Sequence, residues 1–237
     1  MCFENACFLC KIQNMKHQLA TQDYIKTIAM VVVNANQEIV KVKHIANQLD
    51  VTIAAVSDMV KKLVKDGLVV SHSYKGVELT PAGLKLGLQL IRYHRLWEVF
   101  LHETLEVPWD EVHHEAEHLE HAASNKLMDR IDAYLGHPKV DPHGNPIPSV
   151  TGELLFNASE IPLINGVIND IYYVTRFEGL DSVYLTYLAD NGFAIGSSIE
   201  LLQYFEFDGS VLCNINGRQL QLSKAIAGQI FISRSKD

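Results

Sequence analysis

The sequence predicts an α+β chain in three parts: an N-terminal helix-turn-helix with a hairpin wing, a helical core, and a C-terminal all-β barrel. Three observations predict it. Apolar residues recur at helical spacing from residue 23 to about residue 135. A Pro/Gly cluster then interrupts the chain, from Gly136-His137-Pro138 through Pro142-His143-Gly144-Asn145-Pro146-Ile147-Pro148. Beyond Gly152, strand-favouring runs at 167–175, 198–204, 211–215, 218–222 and 229–233 are punctuated by Asp190-Asn191-Gly192, Asp208-Gly209 and Asn216-Gly217.

Taken in order, residues 23–36 read as an amphipathic helix, and 42–49 as a short one with apolar residues at 42, 45, 46 and 49. Asp50-Val51 makes a tight turn, and Thr52 is a good N-cap for a helix over 53–64 that stops at Gly67. Leu68-Val69-Val70 and Val77-Glu78-Leu79-Thr80 form a hairpin around 71–76. Helix, turn, helix and wing within this span predict a winged helix-turn-helix, whose second helix enters the major groove of double-stranded DNA. The candidate DNA contacts are Thr52, Ala54, Ala55 and Ser57, small enough for close approach, with Lys43, Lys61 and Lys75 for phosphates. Thr80-Pro81-Ala82-Gly83 opens a long helix with Pro in its first turn, reaching about residue 101. Further helices follow Pro108 and Ser124.

Composition sets the outer bounds. The chain has 237 residues, 48% hydrophobic and 20% charged, as an ordinary globular protein has. Without an apolar run of ~20 residues or a secretory signal pattern, a cytoplasmic protein with no membrane partner is expected. The net charge is −8, yet seven lysines between Lys41 and Lys85 face only Asp50, Asp58, Asp66 and Glu78. That segment carries +3, which leaves −11 on the rest: a basic face on an acidic body. Cys2, Cys7 and Cys10 include a single C-x-x-C, a weak metal or redox signal, and residues 1–20 are expected to be a disordered extension.

The densest chemistry lies at Val112-His113-His114-Glu115-Ala116-Glu117-His118-Leu119-Glu120-His121. At about 100° per residue, His113, Glu117, Glu120 and His121 share a stripe of roughly 100°. Burying such a stripe is costly unless something binds it, and a divalent cation is the natural candidate. One turn apart on the preceding helix, His94 and Glu98 form a further chelating pair. A rival reading uses His114-Glu115-x-x-His118, the H-E-x-x-H pattern of zinc hydrolases, although no third ligand motif follows. A di-iron carboxylate centre needs two Glu-x-x-His helices, and His94/Glu98 has neither the order nor the spacing.

These parts in this order resemble the diphtheria toxin repressor family of metal-dependent transcription regulators, over about residues 21–237. The resemblance is carried by Asp23-Tyr24-Ile25, Asp66-Gly67-Leu68-Val69, Leu79-Thr80-Pro81-Ala82-Gly83 and His94-Arg95-Leu96-x-Glu98. His113-x-x-x-Glu117-x-x-Glu120-His121 and Gly144-Asn145-Pro146-Ile147-Pro148 complete it. It implies a metal-activated repressor, not an enzyme, binding a near-palindromic operator as a homodimer, with an SH3-like (FeoA-type) C-terminal domain. It further implies a primary metal site of Asp23, Glu117, Glu120 and His121, with Asp141 as an additional candidate. The implied ancillary site is His94, Glu98 and His113, with Asp181 chosen over Glu178 as a further ligand. Carboxylates at Asp23 and Glu117, where iron-sensing members carry Met and Cys, make the resemblance one to the manganese-responsive branch. Mn²⁺ is thus the implied cofactor, Fe²⁺ and other divalent ions substitutes in vitro, and manganese-uptake genes the implied targets. Lys26 departs from the carboxylate of two-domain manganese regulators, so their binuclear chemistry is not carried over. The implied divisions are 1–20 extension, 21–84 DNA-binding, 85–140 metal-binding and dimerisation, 141–152 Pro/Gly linker, and 153–237 SH3-like.

Overall fold

The computed structural model describes residues 18–34, 37–179 and 182–235 in full, and residues 2–17 and 35 only as part of a helix. The segment expected as an extension over 1–20 runs as helix from Cys2 onward, and the side chains of Cys2, Cys7 and Cys10 lie outside the described residues. The chain forms two compact units, Met1–Tyr93 with Pro148–Glu153, and His94–Ile147 with Leu154–Asp237.

The first unit begins with α1 (Cys2–Ala35), longer than the helix expected over 23–36 because no Pro or Gly interrupts these residues. After β1 (Ile39–Val40) come α2 (Val42–Gln48) and α3 (Ile53–Lys65). The turn between them places Asp50 at φ +49°, in the left-handed region that Asp tolerates. Thr52 caps α3 as expected, its Oγ accepting the Ala55 N–H at 3.2 Å. Gly67, at φ +70°, closes the far end. β2 (Val69–His72) and β3 (Gly76–Leu79) form the expected wing, pairing antiparallel from Val69 with Leu79 to His72 with Gly76. β1 extends this into a three-stranded sheet in the order β1-β3-β2, a strand too short to be seen as a pattern in the sequence. Ile25 and Ile28 of α1, Ile45 of α2, Val56, Val60 and Leu63 of α3, and Val69 and Val77 of the wing make one core. Because Val56, Val60 and Leu63 occupy one side of α3, its other side remains exposed at Ala54, Ala55, Asp58 and Lys61.

α4 (Pro81–Leu105) is tied to this unit at its start. Thr80 Oγ donates to the carbonyls of Gly67 at 2.8 Å and Leu68 at 3.1 Å, and accepts the Gly83 N–H at 3.1 Å. One turn later, a Cβ on Gly87 would collide with the Ala29 side chain of α1. Gly87→Val is therefore expected to destabilise this unit by about 1–3 kcal/mol through overpacking. Faster amide hydrogen exchange at Tyr24–Ala29 would register it, and unchanged protection would disprove the close approach.

The second unit holds the rest of α4, then α5 (Val112–Leu119) and α6 (Asn125–Tyr134), the latter capped by Ser124 accepting from Leu127 N at 3.3 Å. The helix expected to carry the whole 113–121 stripe ends at Leu119. Glu120 caps it, and the Ala122 N–H turns back to Leu119, because the chain must become extended at Ser124 to start α6. The expected Pro/Gly linker at 141–152 is, over residues 141–148, mostly buried. Arg95 donates to the Pro146 carbonyl, Asp141 Oδ1 accepts from His143 N at 2.8 Å and Asn145 N at 2.9 Å, and Gly144 at φ +82° leaves room only for hydrogen against Thr175 O.

The C-terminal part has a six-stranded sheet in the order β4-β9-β5-β6-β7-β8, antiparallel at every pairing. The strands are β4 (Ile161–Pro162), β5 (Ile171–Phe177), β6 (Ser198–Tyr204), β7 (Val211–Ile215), β8 (Arg218–Leu222) and β9 (Ile230–Ser233). β5 starts later than the expected 167–175 because Asn169 turns the chain at φ +66°. Two helices were not expected, α7 (Ser182–Asp190) and α8 (Lys224–Gln229). Val183, Tyr184, Thr186 and Tyr187 favour no helix locally; burial of Leu185 and Leu188 decides α7. Asp190-Asn191-Gly192 thus ends a helix rather than joining strands, while Asn216-Gly217, at φ +52° and +83°, turns the β7–β8 hairpin as expected. Trp109 packs on the core beneath this sheet, stacked on Phe177 with ring centroids 5.3 Å apart. No described helix is long and apolar enough to cross a membrane.

Candidate metal centre

One turn of α4 places His94 above Glu98, and α5 brings in His113. His94 Nε2 lies 3.0 Å from Glu98 Oε1 and 2.9 Å from His113 Nδ1, which is itself 3.1 Å from Glu98 Oε1. All three expected ancillary residues therefore converge. His94 and Glu98 are buried and His113 partly so.

A second convergence uses a residue the sequence reading did not select. Glu98, Asp141 and His143 present ligand atoms within 4.8 Å of one another, all three side chains fully buried. His143 Nε2 is 2.8 Å from the Trp109 carbonyl, which can only accept, so that nitrogen carries the proton. In the neutral ring Nδ1 is then bare, and it faces Glu98 Oε1 at 3.6 Å and Asp141 Oδ1 at 3.9 Å. Glu98 Oε2, Asp141 Oδ2 and His143 Nδ1 have no hydrogen-bond partner among the described residues, although Arg95 Nε stands 3.5 Å from Asp141 Oδ2. Buried acceptors converging without donors are costly, and a cation relieves all of them together. These residues fit a divalent metal. The clue in the sequence was Pro142-His143-Gly144 beside Asp141, read there as part of a linker.

The titration behaviour of the groups agrees. Burial would raise the Glu98 carboxyl, but the charges of His94 and His143, with hydrogen bonds from His113 and His94, hold it well below the ordinary range. Asp141 is pushed up by burial and by Glu98, against the pull of His143 and Arg95. Burial works against charge on His113, yet its bonds to Glu117 and Glu98 raise it to about 9. Without a metal, a proton on His113 supplies part of the positive charge this centre needs.

Of the expected primary set, Glu120 and His121 lie together in the second unit. Glu120 is buried, with Oε1 3.3 Å from His121 Nε2 and Oε2 2.6 Å from His94 Nδ1. Glu117 is half-exposed and lies 3.5 Å from His113 Nε2, since the helix ends before the stripe can continue. Asp23 stands on α1 in the first unit, partly buried. Asp141, an extra candidate for this set, instead joins Glu98 and His143, because its loop is packed by Arg95 and Gly144. Asp181 lies outside the described residues, and Glu178, raised by burial, belongs to neither grouping around Glu98. His114 and His118, the hydrolase candidates, are exposed with rings 4.7 Å apart, and Glu115 is exposed too. No third ligand groups with them among the described residues, so the zinc-hydrolase reading falls. On the reading head, Thr52, Ala54, Ala55, Lys43, Lys61 and Lys75 are exposed. Lys61 Nζ pairs with Asp58 at 2.9 Å, and Ser57 Oγ donates back to Ile53 O at 2.8 Å.

The comparisons agree with this layout. Residues 19–77 match the iron dependent repressor N-terminal DNA binding domain, 80–149 its metal binding and dimerisation domain, and 161–234 the FeoA domain. The HTH-type transcriptional regulator MntR of Lysinibacillus sphaericus is 38% identical over 110 residues, which span 46% of this chain and 77% of MntR. The chain belongs to the iron-dependent repressor family. Iron-dependent repressor IdeR of Mycobacterium tuberculosis is 38% identical over 106 residues, or 45% of this chain; the match spans about half the length of that relative, 46%. A solved "manganese-dependent transcriptional repressor complex with manganese" aligns with TM-score 0.80 and 36% identity, over 90% of this chain and 99% of that one. The FeoA match accounts for the C-terminal sheet domain, expected as an SH3-like barrel, and the family for the order of the parts.

Proposed function

We propose that this protein is a manganese-activated transcriptional repressor that binds double-stranded DNA as a homodimer, with manganese-uptake genes as its targets. The observation that carries the reading is the buried convergence of Glu98, Asp141 and His143 with bare acceptors. One metal would be held at Glu98, with His94, His113, Asp141 and His143 available. A second would be held by Glu120, His121, Glu117 and Asp23, joining α1 to the helical core and so fixing the reading head. Carboxylate oxygens with imidazole and no thiolate suit Mn²⁺, although intrinsic affinity follows the series toward later metals. A bound cation supplies the charge that lets these carboxylates approach. Thr52, Ala54, Ala55 and Ser57 would face base edges, and Lys43, Lys61 and Lys75 phosphates. Two heads on a symmetric dimer call for a near-palindromic operator. In the cytoplasm such a protein reports free Mn²⁺.

Gel shifts on one metal-stripped sample titrated with Mn²⁺, Fe²⁺ and Zn²⁺ test this reading. DNA retention that rises with Mn²⁺ supports it; retention indifferent to every metal ends it.

Proton linkage gives a further expectation. His113, raised to about 9, is protonated in the metal-free protein at neutral pH and must lose that proton to act as a ligand. Mn²⁺ affinity at the Glu98 centre should therefore climb as pH rises toward about 9 and level off above it. Calorimetry at pH 7 in buffers of different ionisation enthalpy would show close to one proton released from this residue; no buffer dependence would contradict it.

A further inference from the structure

His114 and His118 stand one turn apart on α5, and both are exposed. Among the described residues neither ring is hydrogen-bonded or ion-paired, and their centroids lie 4.7 Å apart. We propose that this pair is a surface clamp for a borderline transition ion such as Zn²⁺, Ni²⁺ or Cu²⁺, separate from the buried core centre. It does not depend on which metal activates the protein.

The spacing fits chelation. A ring nitrogen lies about 1.1 Å from its centroid and a Zn–N bond spans about 2.0–2.1 Å, so each centroid would stand about 3.2 Å from a shared ion. Two rings subtending about 90–109° at that ion have centroids about 4.5–5.2 Å apart. The observed 4.7 Å falls inside that window. The rings meet edge to face, with 76° between their planes. Aiming one nitrogen of each at the ion needs rotation about χ2, a soft torsion in histidine. Nothing buries these rings, so the rotation disturbs no packing. The backbone beneath them is held in place, because Val112 and Ala116 of the same helix are fully buried against Leu101.

Ligand chemistry separates the clamp from the core. Two imidazoles without a carboxylate suit Zn²⁺, Ni²⁺ and Cu²⁺, whereas Mn²⁺ prefers oxygen and stands lowest in the affinity series. Glu111 and Glu115 are exposed nearby and add negative charge without serving as ligands. Water fills the remaining coordination positions. A zinc hydrolase would need a third protein ligand, and no such group joins the pair among the described residues. The clamp therefore binds an ion and catalyses nothing.

The test uses the full-length protein on immobilised Ni²⁺, which surface groups reach and buried ligands do not. The wild type should be retained until free imidazole competes. His114→Gln and His118→Gln should each elute as early as the double variant, because a chelate needs both rings. His137→Gln, at an exposed histidine with no ring beside it, should leave retention unchanged. In solution, Zn²⁺ competition against a chromophoric chelator should show one position weakened about a hundredfold in each single variant, the lower end of the gain from joining two ligands on one scaffold. Both substitutions are at exposed positions and should cost little stability. Unchanged Mn²⁺ binding in every variant would show the core intact.

Stepwise loss of retention, half in each single variant, would mean two independent imidazoles and would overturn the clamp. Identical Zn²⁺ binding in wild type and double variant would overturn it as well. Neither outcome touches the Mn²⁺ centre, which the gel-shift titration tests separately.

Discussion

Glu98→Gln is expected to lower Mn²⁺ affinity at its own centre by at least about a hundredfold, beyond the 10–100-fold that loss of an outer-shell partner typically costs. Glu98 is fully buried and belongs to both groupings, with His94 and His113 on one side and Asp141 and His143 on the other. No neighbouring carboxylate replaces it in full, because burial alone already pushes Asp141 toward its neutral form. The amide keeps the volume and one carbonyl oxygen but removes the charge, so the loss reads electrostatics rather than packing. The same substitution changes the metal-free protein. Glu98 is held well below its ordinary pKa, so it stabilises the fold above the unfolded carboxylate range, and that contribution disappears as pH falls through its folded value. The wild type should therefore lose stability on acidification more steeply than Glu98→Gln, as urea midpoints between pH 7 and pH 4 would show. Wild-type Mn²⁺ affinity in the variant would remove Glu98 from the centre.

Asp23→Ala is the second large effect. If a metal joins Asp23 on α1 to Glu120 and His121, removing that carboxylate cuts the link between metal and reading head while leaving the dimerisation helices untouched. Mn²⁺ should then enhance operator binding hardly at all, against a wild-type enhancement of about 5–150-fold, the span of typical coupling energies of ~1–3 kcal/mol. The Glu98 centre should still bind its ion, and sedimentation should still report a dimer. Mn²⁺-dependent gel shifts of wild-type strength would remove Asp23 from the switch.

Much of the first unit was legible along the chain. Thr52 caps α3, Asp50 and Gly67 take left-handed conformations, and the wing pairs where apolar alternation placed it. Each is decided by a side chain acting on a backbone a few residues away. The ancillary trio of His94, Glu98 and His113 was legible for a related reason: His94 and Glu98 share a helix face, and α5 follows shortly after. Legibility failed where distant packing decides. α7 forms around Leu185 and Leu188, although its own residues favour no helix. The 113–121 stripe broke at Leu119, because the next helix needed an extended residue at Ser124.

What the sequence determined by itself was the inventory and its order: a capped reading head, a helical pair bearing His and Glu, a Pro/Gly segment and a barrel. What only the tertiary structure decided was the company Asp141 and His143 keep. Read locally, Pro142-His143-Gly144 is a turn between domains; folded, the Trp109 carbonyl fixes the proton of His143, and Arg95 and Gly144 pin the loop against the barrel. Trp109, Arg95 and the Thr175 carbonyl against which Gly144 packs lie tens of residues away, and no periodicity or spacing encodes them. The bare nitrogen and two carboxylates they bring together exist as a centre only because burial denies them water.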